Sequence, residues 1–245
     1  MDLTNKIIIV TGGSGLIGRS IIKNILSLNG KVINVDLVNF DGDHFFEKCD
    51  ITDVKSIDKL LDTIISKFSK IDGLVNNAYP RTKDWGNKFE DIEYDSWCKN
   101  VDMQLNSMFY IIKSVVKIMK ELKGGSIVNI ASIYGSVGSD FTIYEGTKDM
   151  TSPAAYSAIK GGLINFTRYL SSYFGKYSIR VNCVSPGGVY DNQDKIFIKN
   201  YSNKVPLKRM ADPNEIAPAV SFLLSESSSY ITGHNLIIDG GWTAI

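Results

Sequence analysis

The chain of 245 residues is 44% hydrophobic and 22% charged, enough for one α/β domain over residues 1–245 and too short for a second large one. Its 27 basic residues against 26 acidic ones leave no net field to hold a polyanion, which excludes nucleic acid from the expected partners. No apolar run approaches membrane-spanning length, strand-forming residues begin at Lys6 with no basic leader before them, and the dispersed Cys49, Cys98 and Cys183 lack metal or disulfide spacing, so a reducing cytoplasm is the expected setting.

Lys6 to Val10 (KIIIV) is the first predicted strand and runs into TGGSGLIG at Thr11 to Gly18, after which Ile17, Ile21, Ile25 and Leu28 recur at helical spacing. Gly30 ends this helix, and KVINVD at Lys31 to Asp36 is a second strand that finishes on an acid, completing a βαβ unit. A strand at Phe45 to Lys48, a helix over Val54 to Phe68, a strand at Gly73 to Asn76 and a long helix from Ser96 to Leu122 follow. GSIVNIAS (Gly125 to Ser132) is the fifth predicted strand, Pro153 to Phe174 a helix, SIRVNCVS (Ser178 to Ser185) the sixth strand, Pro213 to Leu224 a helix and NLIID the last strand. This alternation predicts an α/β fold, a Rossmann-like doubly wound parallel sheet of about seven strands with helices on both faces, which binds ligands beyond the carboxyl ends of its strands.

The glycine turn places Gly12, Ser14, Gly15, Leu16, Ile17 and Gly18 where the backbone can approach a pyrophosphate held at a helix N-terminus, although such a cluster alone is a weak signal that a tight turn also produces. Asp36 stands 24 positions beyond Gly12, where a dinucleotide site has the acid that binds the adenosine ribose hydroxyls. Tyr156 and Lys160, four apart on a predicted helix, share one face. By itself such a pair is an ordinary exposed helix pair. Coupled, it can lower a phenol from its usual pKa near 10 toward neutrality, since unit charges about 4 Å apart interact by roughly 4 kcal/mol at an effective dielectric of about 20. His44 and His234, the only histidines, belong to no ligand cluster, so no metal site is expected.

In order, TGGSGLIG, CDIT (Cys49 to Thr52), NNA (Asn76 to Ala78), NIAS (Asn129 to Ser132), YSAIK (Tyr156 to Lys160), RVNCVSPG (Arg180 to Gly187) and TGHNLIIDGG (Thr232 to Gly241) span nearly the whole chain. The sequence resembles the short, single-domain branch of the short-chain dehydrogenase/reductase family. The resemblance implies NAD as coenzyme, contacted at the adenine by Asp50 and Ile51, bordered by Asn77 and Ala78, and flanked at the nicotinamide by Pro186, Gly187 and Val189. It further implies that Ser132 hydrogen-bonds the substrate oxygen, that Tyr156 delivers or removes its proton, and that Lys160 lowers the tyrosine pKa and holds the nicotinamide ribose. A homotetramer built on the helices near Ser96 to Leu122 and Pro153 to Phe174 is implied in the same way.

Three departures stand out from the family pattern. Leu16 replaces the usual third-turn glycine while Gly15 sits one place earlier, a spacing closer to the longer, sugar-nucleotide-modifying branch. Gln104 occupies the position of a catalytic asparagine, and Asn106, about 200° around the helix, cannot substitute for it. The threonine expected after Pro186 and Gly187 is missing, leaving Asp191 or Asn192 nearby. In addition Ser132 and Tyr156 are 24 apart, and the extra segment GSDFTIYEGTKDMTSP carries Tyr144 and Glu145 toward the active-site edge. It reads as a polar pocket wall or as a surface or oligomer contact. With Arg81 and Trp85 of YPRTKDWG at the same edge, it predicts a hydroxylated or anionic small-molecule substrate, a sugar derivative, rather than a steroid or acyl chain. The insertion and its neighbours also resemble oxidoreductases of bacterial surface-sugar and flagellin-glycan biosynthesis. Two rival readings stay open: a non-catalytic or regulatory dinucleotide-binding protein, and a cofactor-retaining sugar epimerase or dehydratase.

Overall fold

The structure is a computed structural model that describes residues 1–245. Seven strands, β1 (Ile7–Thr11), β2 (Lys31–Asp36), β3 (Phe45–Lys48), β4 (Gly73–Asn76), β5 (Gly125–Ile130), β6 (Ile179–Pro186) and β7 (Asn235–Ile238), pair in parallel in the order 3-2-1-4-5-6-7. The chain runs outward from β1 to β3, then returns to the other side of β1 with β4. The reversal opens a crevice at the carboxyl ends of β1 and β4, the place where such sheets bind ligands.

Alternation along each strand sends successive side chains to opposite faces. Ile7, Ile9, Ile33, Leu74, Ile127 and Val181 bury one face against helices α2 (Val54–Phe68), α4 (Ser107–Glu121) and α5 (Ala154–Phe174). Ile8, Val10, Val32, Val75, Val128 and Val184 bury the other against α1 (Leu16–Ser27) and α7 (Pro213–Leu224). Covering both faces is what makes strands as uniformly apolar as IIIV stable in a parallel sheet. Local signals set the ends: Asp53 caps α2 by accepting from Lys55 N at 3.0 Å, and Asp212 with Glu215 forms a capping box on α7 with Pro213 in its first turn.

The structure shifts several predicted boundaries and adds one helix. β1 ends on Thr11 rather than Val10, and β5 stops at Ile130, so that Ser132 lies beyond the strand and caps a short 3-10 turn. The long helix expected from Ser96 to Leu122 is two helices, α3 (Tyr94–Val101) and α4, joined by a π turn over Asp102–Asn106, where the Ser107 hydroxyl donates to Met103 O at 2.6 Å. A helix that went unpredicted, α6 (Lys195–Lys204), begins where Asp194 accepts from Ile196 N at 2.7 Å. The inserted segment packs on α6: Ile143, Phe197, Tyr201, Val205 and Met210 form a small separate core, Asn200 Nδ2 donates to Ile143 O (3.2 Å) and Glu145 O (3.0 Å), and Lys204 pairs with Asp140.

Candidate active site

The loop from β1 to α1 is shaped by a residue with no side chain. Gly12 adopts φ +62°, and a Cβ there would stand 2.6 Å from Ala78 Cα and 2.9 Å from Ala78 N, so only glycine lets the two crevice loops touch. Asn77 Nδ2 fastens them by donating to Gly12 O (2.8 Å) and Thr11 O (3.2 Å), and Thr11 Oγ1 accepts from Asn77 N (3.1 Å) and Ala78 N (3.2 Å). Gly15 opens α1 without a side-chain cap, so the first-turn amides have no capping partner, and Leu16 and Ile17 line the cleft at the positive end of the helix dipole. Asp36, at the end of β2, receives Ser14 N on Oδ2 (3.0 Å) and Leu37 N on Oδ1 (2.7 Å), and its carboxylate retains further acceptor capacity at the cleft edge.

These groups line one end of a cleft of about 740 Å³, together with Asp50, Ile51, Asn77 and Ala78. Ser132, Tyr156, Lys160, Pro186, Gly187 and Val189 line its other end. Ser14 and Gly18 lie behind the lining: the Ser14 hydroxyl donates to Val38 O at 2.6 Å, and Gly18 packs so closely on the turn that a Cβ would come 2.7 Å from Gly13 Cα. A cradle that a methyl group would fill, free helix-terminal amides and a strand-end carboxylate fit a dinucleotide.

At the far end, the Ser132 hydroxyl accepts from Tyr134 N at 3.2 Å. Tyr156 occupies the first turn of α5, half-buried, and Lys160 lies one turn further, buried, with Nζ donating to Ile130 O at 2.7 Å and standing 5.5 Å from the Tyr156 ring centroid. Burial pulls Lys160 down to about 8. Burial likewise pushes Tyr156 above the ordinary phenol range, opposed by hydrogen bonding with Ser132 and reinforced by Tyr144. Lys160 is not among the groups that shift Tyr156 here. The Lys160 ammonium donates to the Ile130 carbonyl, and desolvation is the largest influence on the phenol.

Gln104 lies in the π turn, fully buried and outside the cleft lining, with neither side-chain polar atom hydrogen-bonded, while Asn106 is exposed and donates to Asp102 Oδ1 at 2.9 Å. Arg81 lines the cleft and an adjoining cavity of about 350 Å³, which Trp85 also walls. Tyr144, carried by the insertion, faces both spaces, whereas Glu145 faces neither and contributes a backbone carbonyl to Asn200. Several aromatic lining residues were not singled out by the sequence reading. Tyr79 sets its ring edge-to-face on Tyr156 at 5.7 Å, Tyr134 follows Ser132 closely, and Phe197 with Tyr201 arrives on α6. Tyr79 directly follows the Asn-Asn-Ala turn and could have been found from that; the α6 pair could not be found without predicting the helix. No group of His, Cys, Asp and Glu is arranged to hold a metal, and no helix is long and apolar enough to cross a membrane.

Comparison with known proteins agrees with this geometry. The fold superposes on a short-chain dehydrogenase from Leptospira borgpetersenii, solved with bound NAD+, with a TM-score of 0.90 and 36% identity, covering 99% of this chain and 94% of that one. A family model described as enoyl-(acyl carrier protein) reductase matches residues 35–243. The chain belongs to the short-chain dehydrogenase/reductase family. Among members of this family, post-translational flagellin modification protein A of Campylobacter coli is 35% identical over 98% of this chain and 99% of its own length. A 3-oxoacyl-[acyl-carrier-protein] reductase of Chlamydia pneumoniae is 32% identical over 99% of this chain and its own full length. The matched region includes Asp36, Ser132, Tyr156 and Lys160, and the chain is an oxidoreductase of this family.

Proposed function

We propose that this single-domain oxidoreductase uses NAD(H) to interconvert an alcohol and a carbonyl on a polar, sugar-derived substrate, with Tyr156 as the acid/base group. The observation that carries the reading is the convergence of Ser132, Tyr156 and Lys160 on one end of the cleft whose other end holds the Gly12 cradle and Asp36. The 36% identical relative solved with NAD+ supports the choice of coenzyme. When bound, the nicotinamide accepts or gives the hydride. Ser132 binds the reacting oxygen, Tyr156 donates or removes its proton, and Lys160 holds the nicotinamide ribose and the tyrosine in place. A phenol is protonated at neutral pH, so Tyr156 can donate to a carbonyl oxygen held by Ser132.

Arg81, Tyr134, Tyr144, Asp191 and Gln193 around the cleft favour a hydroxylated substrate over an alkyl chain, and the flagellin-modification relative supports a place in surface-sugar biosynthesis. An aromatic file on α4 and α5 supports a homotetramer through these helices: Phe109, Tyr169 and Tyr173 are exposed, and ring centroids run 6.3 Å from Phe109 to Phe166, 6.2 Å to Tyr169 and 6.0 Å to Tyr173. We place the protein in the cytoplasm, in keeping with three free cysteines. The test is NADH absorbance across a panel of sugars, sugar phosphates, nucleotide sugars and a β-ketoacyl thioester. Turnover confined to the sugar classes is expected. Preference for the thioester overturns the substrate assignment, and NADH binding without turnover of any compound overturns the catalytic one.

A further inference from the structure

The rim beside Asp36 carries a cation that the carboxylate does not pair with. Arg19, on the first turn of α1, reaches within one residue of Asp36: its Nε donates to Ser14 O at 2.7 Å, and Ser14 N donates in turn to Asp36 Oδ2 at 3.0 Å. Yet no ion pair joins the two side chains, and the η nitrogens of Arg19 make no hydrogen bond. The guanidinium is instead drawn over the ring of Phe40, with Cζ 5.0 Å from the centroid.

Phe40 is itself held. It is half-buried against the core under α1, and His44 stacks on it with centroids 4.4 Å apart and planes at 28°. His44 Nε2 lies 3.0 Å from Asn39 Oδ1 and 3.2 Å from Asn34 Nδ2, donating to the first in one tautomer or accepting from the second in the other, and Asn34 Nδ2 donates to the Ser14 hydroxyl at 3.0 Å. The loop after β2 thus forms a braced aromatic shelf whose exposed side offers a guanidinium a seat.

We propose that Phe40 is a coenzyme-selectivity residue of this protein: by seating Arg19, it withholds from the Asp36 rim the cation that would offset a 2′-phosphate, and so leaves the Asp36 carboxylate to select NAD over NADP. The inference rests on the dinucleotide reading of the cleft. It concerns a group outside the cleft lining, acting through Arg19. A second cation stands nearby, since Lys48 lies opposite Asp36 in the β2–β3 register and is exposed, again without an ion pair to Asp36. Lys48 has no aromatic seat, so the shelf governs Arg19 alone.

The test measures Kd for NADH and NADPH by fluorescence titration in the wild type, Phe40→Leu, Phe40→Tyr, Arg19→Ala, Phe40→Leu/Arg19→Ala and Phe40→Leu/Lys48→Ala. Leucine keeps the apolar seat in the core and removes the ring face. Loss of an exposed cation–π contact corresponds to about a two- to fivefold change in an equilibrium. Phe40→Leu is expected to move the NADPH-to-NADH affinity ratio toward NADPH by that factor, with NADH affinity near wild type and the shift abolished by Arg19→Ala but not by Lys48→Ala. Phe40→Tyr, which retains a ring face, is expected to keep the wild-type ratio. An unmoved ratio in Phe40→Leu with NADH bound normally overturns the proposal and spares the functional reading. A shift that survives without Arg19, or vanishes without Lys48, also overturns it. A wild-type protein that binds neither nucleotide overturns the dinucleotide reading, and this inference with it.

Discussion

Replacing Gly12 by alanine strikes the point where the two crevice loops meet. The added methyl carbon would lie 2.6 Å from Ala78 Cα and 2.9 Å from Ala78 N, and both are backbone atoms that no rotamer change can move aside. The residue also sits at φ +62°, which costs an L-residue roughly 1–2 kcal/mol. Overpacking a close contact adds about 1–3 kcal/mol, so the total destabilisation is about 2–5 kcal/mol. In a chain of this size each kcal/mol lowers Tm by about 2–4 °C, which gives a fall of roughly 10 °C at the middle of both ranges. Relief requires Ala78 to retreat, which stretches the Asn77 bonds to Thr11 and Gly12 and widens the cradle. NADH affinity should therefore drop at least about tenfold, equivalent to some 1.4 kcal/mol, beyond any effect of unfolding. Thermal melting, followed by NADH titration well below the lowered Tm, reads both effects. A Gly12→Ala protein that melts within about 2 °C of wild type and binds NADH unchanged would refute the close-approach argument.

Other outcomes follow from the same geometry. Asp36→Ala should shrink a wild-type NAD preference of at least about tenfold in kcat/KM, mainly by weakening NAD, because a like-charge pair about 4 Å apart costs roughly 1 to 4 kcal/mol; equal wild-type use of both coenzymes contradicts this. Lys160 is held down to about 8 in the folded protein against 10.5 for a free lysine, so the unfolded chain binds the extra proton between those values and folding stability should rise with pH across that window. Lys160→Met should remove this rise in a series of denaturant titrations, and it should impair both turnover and NADH affinity; an unchanged stability profile would mean that the buried ammonium is not the titrating group. Gln104→Asn should retain substantial activity, since Gln104 lies outside the cleft lining, and loss of turnover with fold and NADH affinity intact would reveal a specific role for the longer side chain.

Much of the sheet was legible because the signals were local. IIIV, KVINVD and GLVN read as strands from their own apolar content, and the Asp53 and Asp212 caps mark helix starts within a few residues. The π turn at Asp102–Asn106 was not, since it depends on which carbonyl each amide chooses, and a continuous apolar stripe runs across it. The insertion was legible as extra length but not as a buttress: Asn200 reaches Ile143 across 57 residues, and nothing near either one announces the other. For the candidate site, Tyr156 and Lys160 were legible as neighbours from their four-residue spacing. Their electrostatics were not, because the tertiary fold decides that Ile130 O takes the ammonium and that the phenol is desolvated.

The central claim is that Tyr156 moves the proton in a cleft that binds the dinucleotide independently of its phenol oxygen. Once the substrate screen has supplied a turnover assay, kcat of Tyr156→Phe is measured beside its NADH Kd. The account predicts a kcat lowered by at least about a hundredfold with NADH affinity nearly intact. Turnover close to wild type in Tyr156→Phe would contradict it.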